Sequence, residues 1–229
     1  MDFLFNKAIT SPHLILDVGA NVGKDGLRFA LNNPQMHVLA FEPVPQMHEV
    51  IGINFHNLQE KVGHAIPNYT LVPVAIGSFD GTARFNVAGQ EDWGCSSFYE
   101  FNDNLAATWP GRDDFVVTDR IDVPVMRLDS FFKQVPFSTI VYLHSDCQGS
   151  DLDVLRGLGD YRQCVLRGVI ECATARSTAL YKQQHLLQDV CFEFARWGFE
   201  IEKLESNDDQ LNEVNIIYSN KFPRAADTL

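Results

Sequence analysis

Short apolar runs alternating with helical patterns constrain this chain of 229 residues more than any other feature. Leu14-Ile15-Leu16 ends at Asp17 and a glycine-containing turn, and Val38 to Phe41 ends at Glu42-Pro43. Leu71 to Ile76, Thr139 to Leu143 and Val165 to Ile170 are further strand-like runs. Between them, Met47, Val50, Ile51, Phe55 and Leu58 recur at the spacing of one helix face. A long helix is predicted on Leu180, Leu187, Val190, Cys191, Phe194 and Trp197, closed by Gly198, where a helix C-terminus favours a left-handed residue. Two final strands, Phe199 to Leu204 and Val214 to Tyr218, flank a polar turn. Apolar strands separated by helices predict a parallel sheet covered on both faces. Residues 79–127 interrupt the alternation: Thr82 to Val87, Ser96 to Phe101 and Val123 to Arg127 read as antiparallel strands between polar loops. The expectation is a single domain over 1–229 with a β-rich insertion at about 79–127.

Composition narrows the partners. Apolar residues make up 45% and charged residues 21%, enough for a full core. The formal net charge of −12, with no concentrated basic patch, argues against a nucleic-acid partner and against an acidic membrane surface. Five cysteines without a Cys-x-x-Cys pair argue against a disulfide framework or a structural zinc site. No basic, apolar leader and no run of about 18 apolar residues is present, so the expectation is a reduced, cytoplasmic, soluble protein.

Asp17-Val18-Gly19-Ala20-Asn21-Val22-Gly23 lies between the first strand and the first helix, where open α/β sheets bind ligands. A dinucleotide fingerprint would read G-x-G-x-x-G, but here the pattern is D-x-G-x-x-x-G. Nineteen residues beyond Gly23, Glu42 ends the second strand, placed to accept hydrogen bonds from both hydroxyls of a ribose. The combination resembles the binding loop of class I S-adenosylmethionine-dependent methyltransferases. That resemblance implies that Asp17, Gly19, Asn21 and Gly23 surround the methionine portion of the cofactor and that Glu42 holds its ribose.

After the strand TIVYL comes His144-Ser145-Asp146-Cys147-Gln148-Gly149-Ser150-Asp151-Leu152, then Val154-Leu155-Arg156-Gly157. This resembles the FkbM-type methyltransferases, whose fourth strand ends in K-I-D-x-E/Q-G followed by E-L-x-V-L-x-G. Other pieces agree in order: Val74-Ala75-Ile76-Gly77 with Asp80-Gly81, Ser96-Ser97, Leu128-Asp129, Glu171 and Gly198-Phe199. The resemblance implies a Rossmann-like α/β fold with a seven-stranded, mostly parallel sheet, helices on both faces and an antiparallel last strand. It adds Pro43, Ala75 and Ser97 to the cofactor set, and implies O-methylation of a small-molecule, sugar or lipid-like acceptor. The insertion, with Trp93, Phe98, Tyr99 and Trp109, is expected over the carboxyl ends of the strands, where it shapes the acceptor site. His144 departs from the family lysine and Ser145 from an apolar residue, while Gln148 is a familiar variant of glutamate.

A hydroxyl acceptor benefits from a nearby base, for which Asp146, His144 and Glu171 are the candidates in that order. Other uses stay open. Asp146 would also cap a helix beginning near Ser150, His144 would serve as a pocket wall, and Glu171 as a buried acid bonded to amides. No metal is expected, although Asp146 with His144 or Glu171 would hold magnesium in a metal-assisted variant. His144, Asp146 and His185 as an iron triad require a β-sandwich or barrel, which the alternation contradicts. An NAD-dependent oxidoreductase explains Glu42 but not the loop, and Tyr181-Lys182 is not a Tyr-x-x-x-Lys pair. A catalytically inactive S-adenosylmethionine-binding domain is the remaining alternative.

Overall fold

The computed structural model describes residues 4–5, 8–89, 93–112 and 115–228. Its first half runs β1 (Leu4–Phe5), β2 (His13–Val18), α1 (Lys24–Asn32), β3 (His37–Phe41), α2 (Pro45–Val62), β4 (Tyr69–Val72), β5 (Ala75–Ile76) and β6 (Gly81–Ala88). Then come α3 (Leu105–Thr108), β7 (Val117–Met126), α4 (Leu128–Phe132), β8 (Thr139–Ser145), α5 (Asp151–Gly157) and β9 (Val165–Ala173). The chain closes with α6 (Leu187–Trp197), β10 (Phe199–Ser206) and β11 (Glu213–Asn220).

The main sheet has eight strands in the order β1-β4-β3-β2-β8-β9-β11-β10. Strands β4, β3, β2, β8 and β9 pair in parallel, and β11 lies antiparallel between β9 and β10. The seven strands from β4 to β10 are those expected, with the last strand in the chain antiparallel. The eighth, two-residue β1, pairs antiparallel with the outer edge of β4 and carries no alternation long enough to be read.

Both faces of the sheet are buried at its centre because the central strands alternate between two apolar layers. Leu14, Leu16 and Val18 of β2 and Leu39 and Phe41 of β3 pack with Phe131, Leu152, Leu155, Val190 and Phe194 from α4, α5 and α6. The intervening Ile15, Val38 and Ala40 pack with Leu27 and Ala30 of α1 and Ile51 and Phe55 of α2. From central β2 the chain steps outward to β3 and β4, then returns to β8 on the other side. The carboxyl ends of β2 and β8 therefore border the switch point, where such sheets open a crevice.

The return passes through a second, three-stranded sheet, β5-β7-β6, whose Phe85, Val87, Val123 and Val125 pack on Val44 and Met47 at the start of α2. Two sequence expectations change here. Leu71 to Ile76 is not one strand: Val74 N–H turns back to the Val72 carbonyl, and β4 and β5 join different sheets. Ser96 to Phe101 is not a strand either: its ladder pairing is limited to isolated bridges from Ser97 to Asn86 and Phe101 to Tyr181. The helix expected from Leu180 begins only at Leu187. Gln184 Oε1 accepts the Leu180 and Tyr181 N–H groups in a local turn, and Asp189 Oδ2 accepts that of Leu186, the N-cap of the helix that starts one residue later. Its end is as expected, at Gly198 with φ 81°.

Candidate active site

At the switch point, the turn after β2, the end of β3, the segment after β4 and the loop after β8 enclose one cleft. It is lined by Gly19, Asn21, Glu42, Pro43, Ala75 and Asp146, with Met47, Val74, Phe85, Ser96, Phe98 and Gln148 among the other walls. The turn is built on backbone hydrogen bonds: the Gly19 and Ala20 amides both donate to the Phe41 carbonyl, and Asp146 N–H donates to that of Val18. Gly19 has φ 83°, and a Cβ there would run into the Asp146 carbonyl, so the turn and the β8 loop meet backbone to backbone.

Glu42 is buried, and its two carboxylate oxygens each accept one backbone N–H, from Asn21 at 2.8 Å and Val44 at 2.9 Å. Each oxygen keeps acceptor capacity on a wall of the cleft. Burial raises its pKa to about 7, against the pull of those two amides.

Asp146 opens onto the cleft, with its Oδ1 taking a 2.6 Å hydrogen bond from Gln148 Nε2. The surrounding protein raises its pKa, while that hydrogen bond and the His144 charge oppose the rise. Asp146 does not take the helix-capping use expected as an alternative, since α5 has Ser150 at its N-cap and no side-chain cap, and the neighbouring Asp151 instead holds the loop before the helix. Asp151 Oδ1 accepts from Cys147 N–H and from the Ser145 hydroxyl, and burial lifts its pKa to about 6. Ser145, the departure from an apolar residue, thus holds the loop that presents Asp146. Gln148 has φ 50° and sets Asp146 through its own anchors: the Tyr181 hydroxyl lies 2.8 Å from Gln148 Oε1, and Ser97 Oγ donates to the Gln148 carbonyl.

Several expected residues stand off the cleft. Asp17 is buried beneath it, its Oδ1 accepting a 2.9 Å hydrogen bond from His144 Nδ1. Burial works against the imidazolium, but that hydrogen bond and the charges of Asp17, Asp146 and Asp25 lift His144 to about 9. His144 is therefore a cation at neutral pH, as lysine would be, and has no lone pair free to take a proton. This corrects its expected place among the candidate bases. Gly23, with φ 78°, forms the N-terminus of α1 against Ile51. Ser97 is buried in the loop contacts just described, and its neighbour Ser96 lines the cleft instead.

Glu171 belongs to an adjoining cavity with Glu213, Asn207, Trp109 and Arg112, which shares Gly94 and Gln148 with the cleft. The insertion supplies walls to both spaces; the side chain of Trp93 lies outside the described residues. His185 sits elsewhere, beside Arg156 at 3.0 Å, so the iron triad is not assembled. Among the described residues no three His, Cys, Asp or Glu side chains converge as a metal-binding group. Met47 and Phe85 carried no site signal in the sequence beyond their elements; Phe85 reaches the cleft from the second sheet and Met47 from the start of α2.

The methyltransferase FkbM domain pattern matches residues 17–201. Methyltransferase 1 of Beauveria bassiana is 26% identical over 172 residues, covering 68% of this chain and 62% of that protein. Methyltransferase sdnD of Sordaria araneosa is 23% identical over 203 residues, covering 82% of this chain and 76% of that one. The crystal structure of an FkbM methyltransferase from Methylobacillus flagellatus shares the fold, with a TM-score of 0.53 at 13% identity, over 94% of this chain and 45% of that one. The chain thus spans less than two thirds of the length of two of these relatives.

Proposed function

Because this chain belongs to the methyltransferase FkbM domain family, we propose that it methylates a hydroxyl group of a small-molecule or glycan acceptor, with S-adenosylmethionine as donor. One observation carries the proposal: Glu42 and Asp146 face a single cleft from opposite sides of the switch point. The lining suits the cofactor. Glu42 offers two acceptor oxygens to a ribose diol, Val74, Ala75, Met47 and Phe85 offer an apolar slot to a purine, and Gly19 and Asn21 of the turn line the same space. Bound there, S-adenosylmethionine supplies a methyl group already activated on a sulfonium.

The residues of the chain then have separate tasks. Asp17 anchors the binding turn from below through the cation of His144, so both support the site without lining it. Asp146 Oδ accepts the proton of the acceptor hydroxyl, and Gln148 Nε2 fixes the orientation of its carboxylate. The apolar walls exclude water that would compete with the acceptor.

The test is calorimetric titration with S-adenosylmethionine, S-adenosylhomocysteine and NAD after removal of co-purified ligand. Micromolar binding of the adenosyl ligands alone, weakened strongly in Glu42→Ala, is expected. No binding, or binding of NAD alone, overturns the cofactor assignment. Once an acceptor is in hand, Asp146→Asn should retain cofactor binding and lose about 100-fold or more in turnover. Wild-type turnover in that variant removes Asp146 from the role of base.

A further inference from the structure

The sequence shows no concentrated basic patch, but the fold builds one at the end of the sheet opposite the cleft. The turn at 159–164 leads into the amino end of β9, α6 ends at Trp197, and the segment after β11 is tied to both. Because β11 runs antiparallel to β9, all three meet beyond the amino ends of the parallel strands. Arg162, Arg196 and Arg224 line the pocket between them, with Trp197, Asn220 and Phe222. Three of the chain's 18 lysines and arginines thus share one hollow of about 270 Å³, near the small end of ligand pockets. Its shape is set by the backbone. Arg224 N–H donates to the Gln163 carbonyl at 2.8 Å, Lys221 N–H to that of Gly198 at 3.1 Å, and Asn220 Nδ2 reaches the carbonyls of Arg162 and Gln163.

The guanidinium groups there have few anionic partners. Arg162 is half-buried, gives Nη1 to the carbonyls of Leu155 and Arg156, and lies over the Trp197 ring, 4.5 Å from its centre. Burial works against its charge and lowers its pKa. Arg196 shares the Glu193 carboxylate with Arg156. Among the described residues, the Arg224 side chain makes no hydrogen bond and no ion pair. Asp160 also lines the pocket, but no described arginine comes within ion-pair distance of it. Three cations against one acid in a concave site suit a phosphomonoester dianion, whose oxygens accept from several guanidinium forks at once. The overall charge of −12 does not cancel this. At physiological salt, charges are screened beyond about 8 Å, so an anion in the pocket feels the arginines before the distant acids. Phe222, 73% exposed beside them, offers an apolar ring to whatever organic group the phosphate carries.

We propose that this pocket binds a phosphomonoester, with its phosphate among Arg162, Arg196 and Arg224 and its organic part against Phe222. The pocket shares no lining residue with the cofactor cleft, and the proposal does not rest on the methyltransferase reading.

Uridine monophosphate, uridine and inorganic phosphate test it, titrated calorimetrically into the protein with and without S-adenosylhomocysteine. The expected result is that the nucleotide binds at least about tenfold tighter than the nucleoside, and tighter than inorganic phosphate. Arg224→Glu, at an exposed position, should remove the preference for the nucleotide over the nucleoside, and Arg224→Lys should keep part of it. Phe222→Ala should bring the nucleotide down to the affinity of inorganic phosphate, whereas Glu42→Ala, in the cofactor cleft, should change none of these values. Co-sedimentation with phosphatidylcholine vesicles containing phosphatidic acid, abolished by Arg224→Glu, would assign the phosphate to a lipid headgroup; its absence beside nucleotide binding assigns it to a soluble ester. Equal binding of nucleotide and nucleoside without such co-sedimentation overturns the inference, and wild-type protein alone decides this. A preference that survives both Arg224→Glu and Arg196→Glu, or that Glu42→Ala removes, also overturns it by placing the phosphate elsewhere. The titrations with S-adenosylhomocysteine report the cofactor assignment separately, so either reading can fail while the other stands.

Discussion

At the scale of single residues, the substitution of histidine for lysine at position 144 is the most instructive. By charge alone, a histidine is a poor replacement, since its ordinary pKa leaves it largely neutral at pH 7. Its place against the buried Asp17 carboxylate reverses that, and the pKa near 9 restores a cation to the position. The pair is worth most when intact, because a lone buried carboxylate is left uncompensated once its partner is removed. His144→Leu should therefore destabilise the protein by about 3 kcal/mol, and His144→Lys should recover most of that loss. Urea unfolding measures both. Equal destabilisation by leucine and lysine would mean that the imidazole matters for its shape and its edge contact with Phe29, not for its charge. The sequence showed that a cation was missing at this position; only the three-dimensional pairing with a residue 127 positions away shows that it is not.

At the scale of elements, the strands and helices of the main sheet were readable because alternation and helical spacing are local properties. The last antiparallel strand and the helix stop at Gly198 followed from the same local evidence and the family resemblance. What failed did so for non-local reasons. The division of residues 71–76 between two sheets depends on β7, which lies more than 40 residues away and pairs with Ala75 and Ile76. Asp17 and Gly23 carry site motifs in sequence, yet their side of β2 and α1 points into packing, while Gln148 gains its place through a positive φ that no composition predicts. Helix α5 ties these parts together. It carries Asp151, which holds the β8 loop, and its Gly157 packs so closely on the second sheet that a Cβ would strike the carbonyl of Gly77. Gly157→Ala should then cost about 2 kcal/mol or more, with the helix forced off β5. It should also weaken cofactor binding, although Gly157 does not line the cleft. Loss of stability with unchanged affinity in calorimetry would show that the loop holds its shape without α5.

At the scale of the whole molecule, the buried acids and His144 set how stability depends on pH. Glu42 moves from 4.5 to about 7, Glu213 from 4.5 to about 7, and Asp151 from 3.8 to about 6, mainly because burial disfavours their charged forms. His144 moves from 6.5 to about 9, against burial, through its hydrogen bond to Asp17 and the surrounding carboxylates. Every one of these groups holds its proton more tightly folded than unfolded. Their contribution is complete below each unfolded value and is lost as pH rises through each folded value. His37 opposes them: burial lowers it to about 4, so its contribution grows as pH rises from 4 to 6.5 and is constant above. Below pH 6.5 the opposing trends partly cancel. Above it, only the losses remain, and self-repulsion of a chain already at −12 adds to them. The unliganded protein should therefore unfold about 5 °C or more lower at pH 9 than at pH 6.5 in scanning calorimetry. Glu42→Gln should flatten the part of that fall near pH 7, and His144→Lys the part near pH 9, because lysine keeps its charge across the range. A midpoint that stays level or rises between pH 6.5 and 9 would mean that water and counter-ions reach these acids in the unliganded fold and leave their protons no tighter than in the unfolded chain.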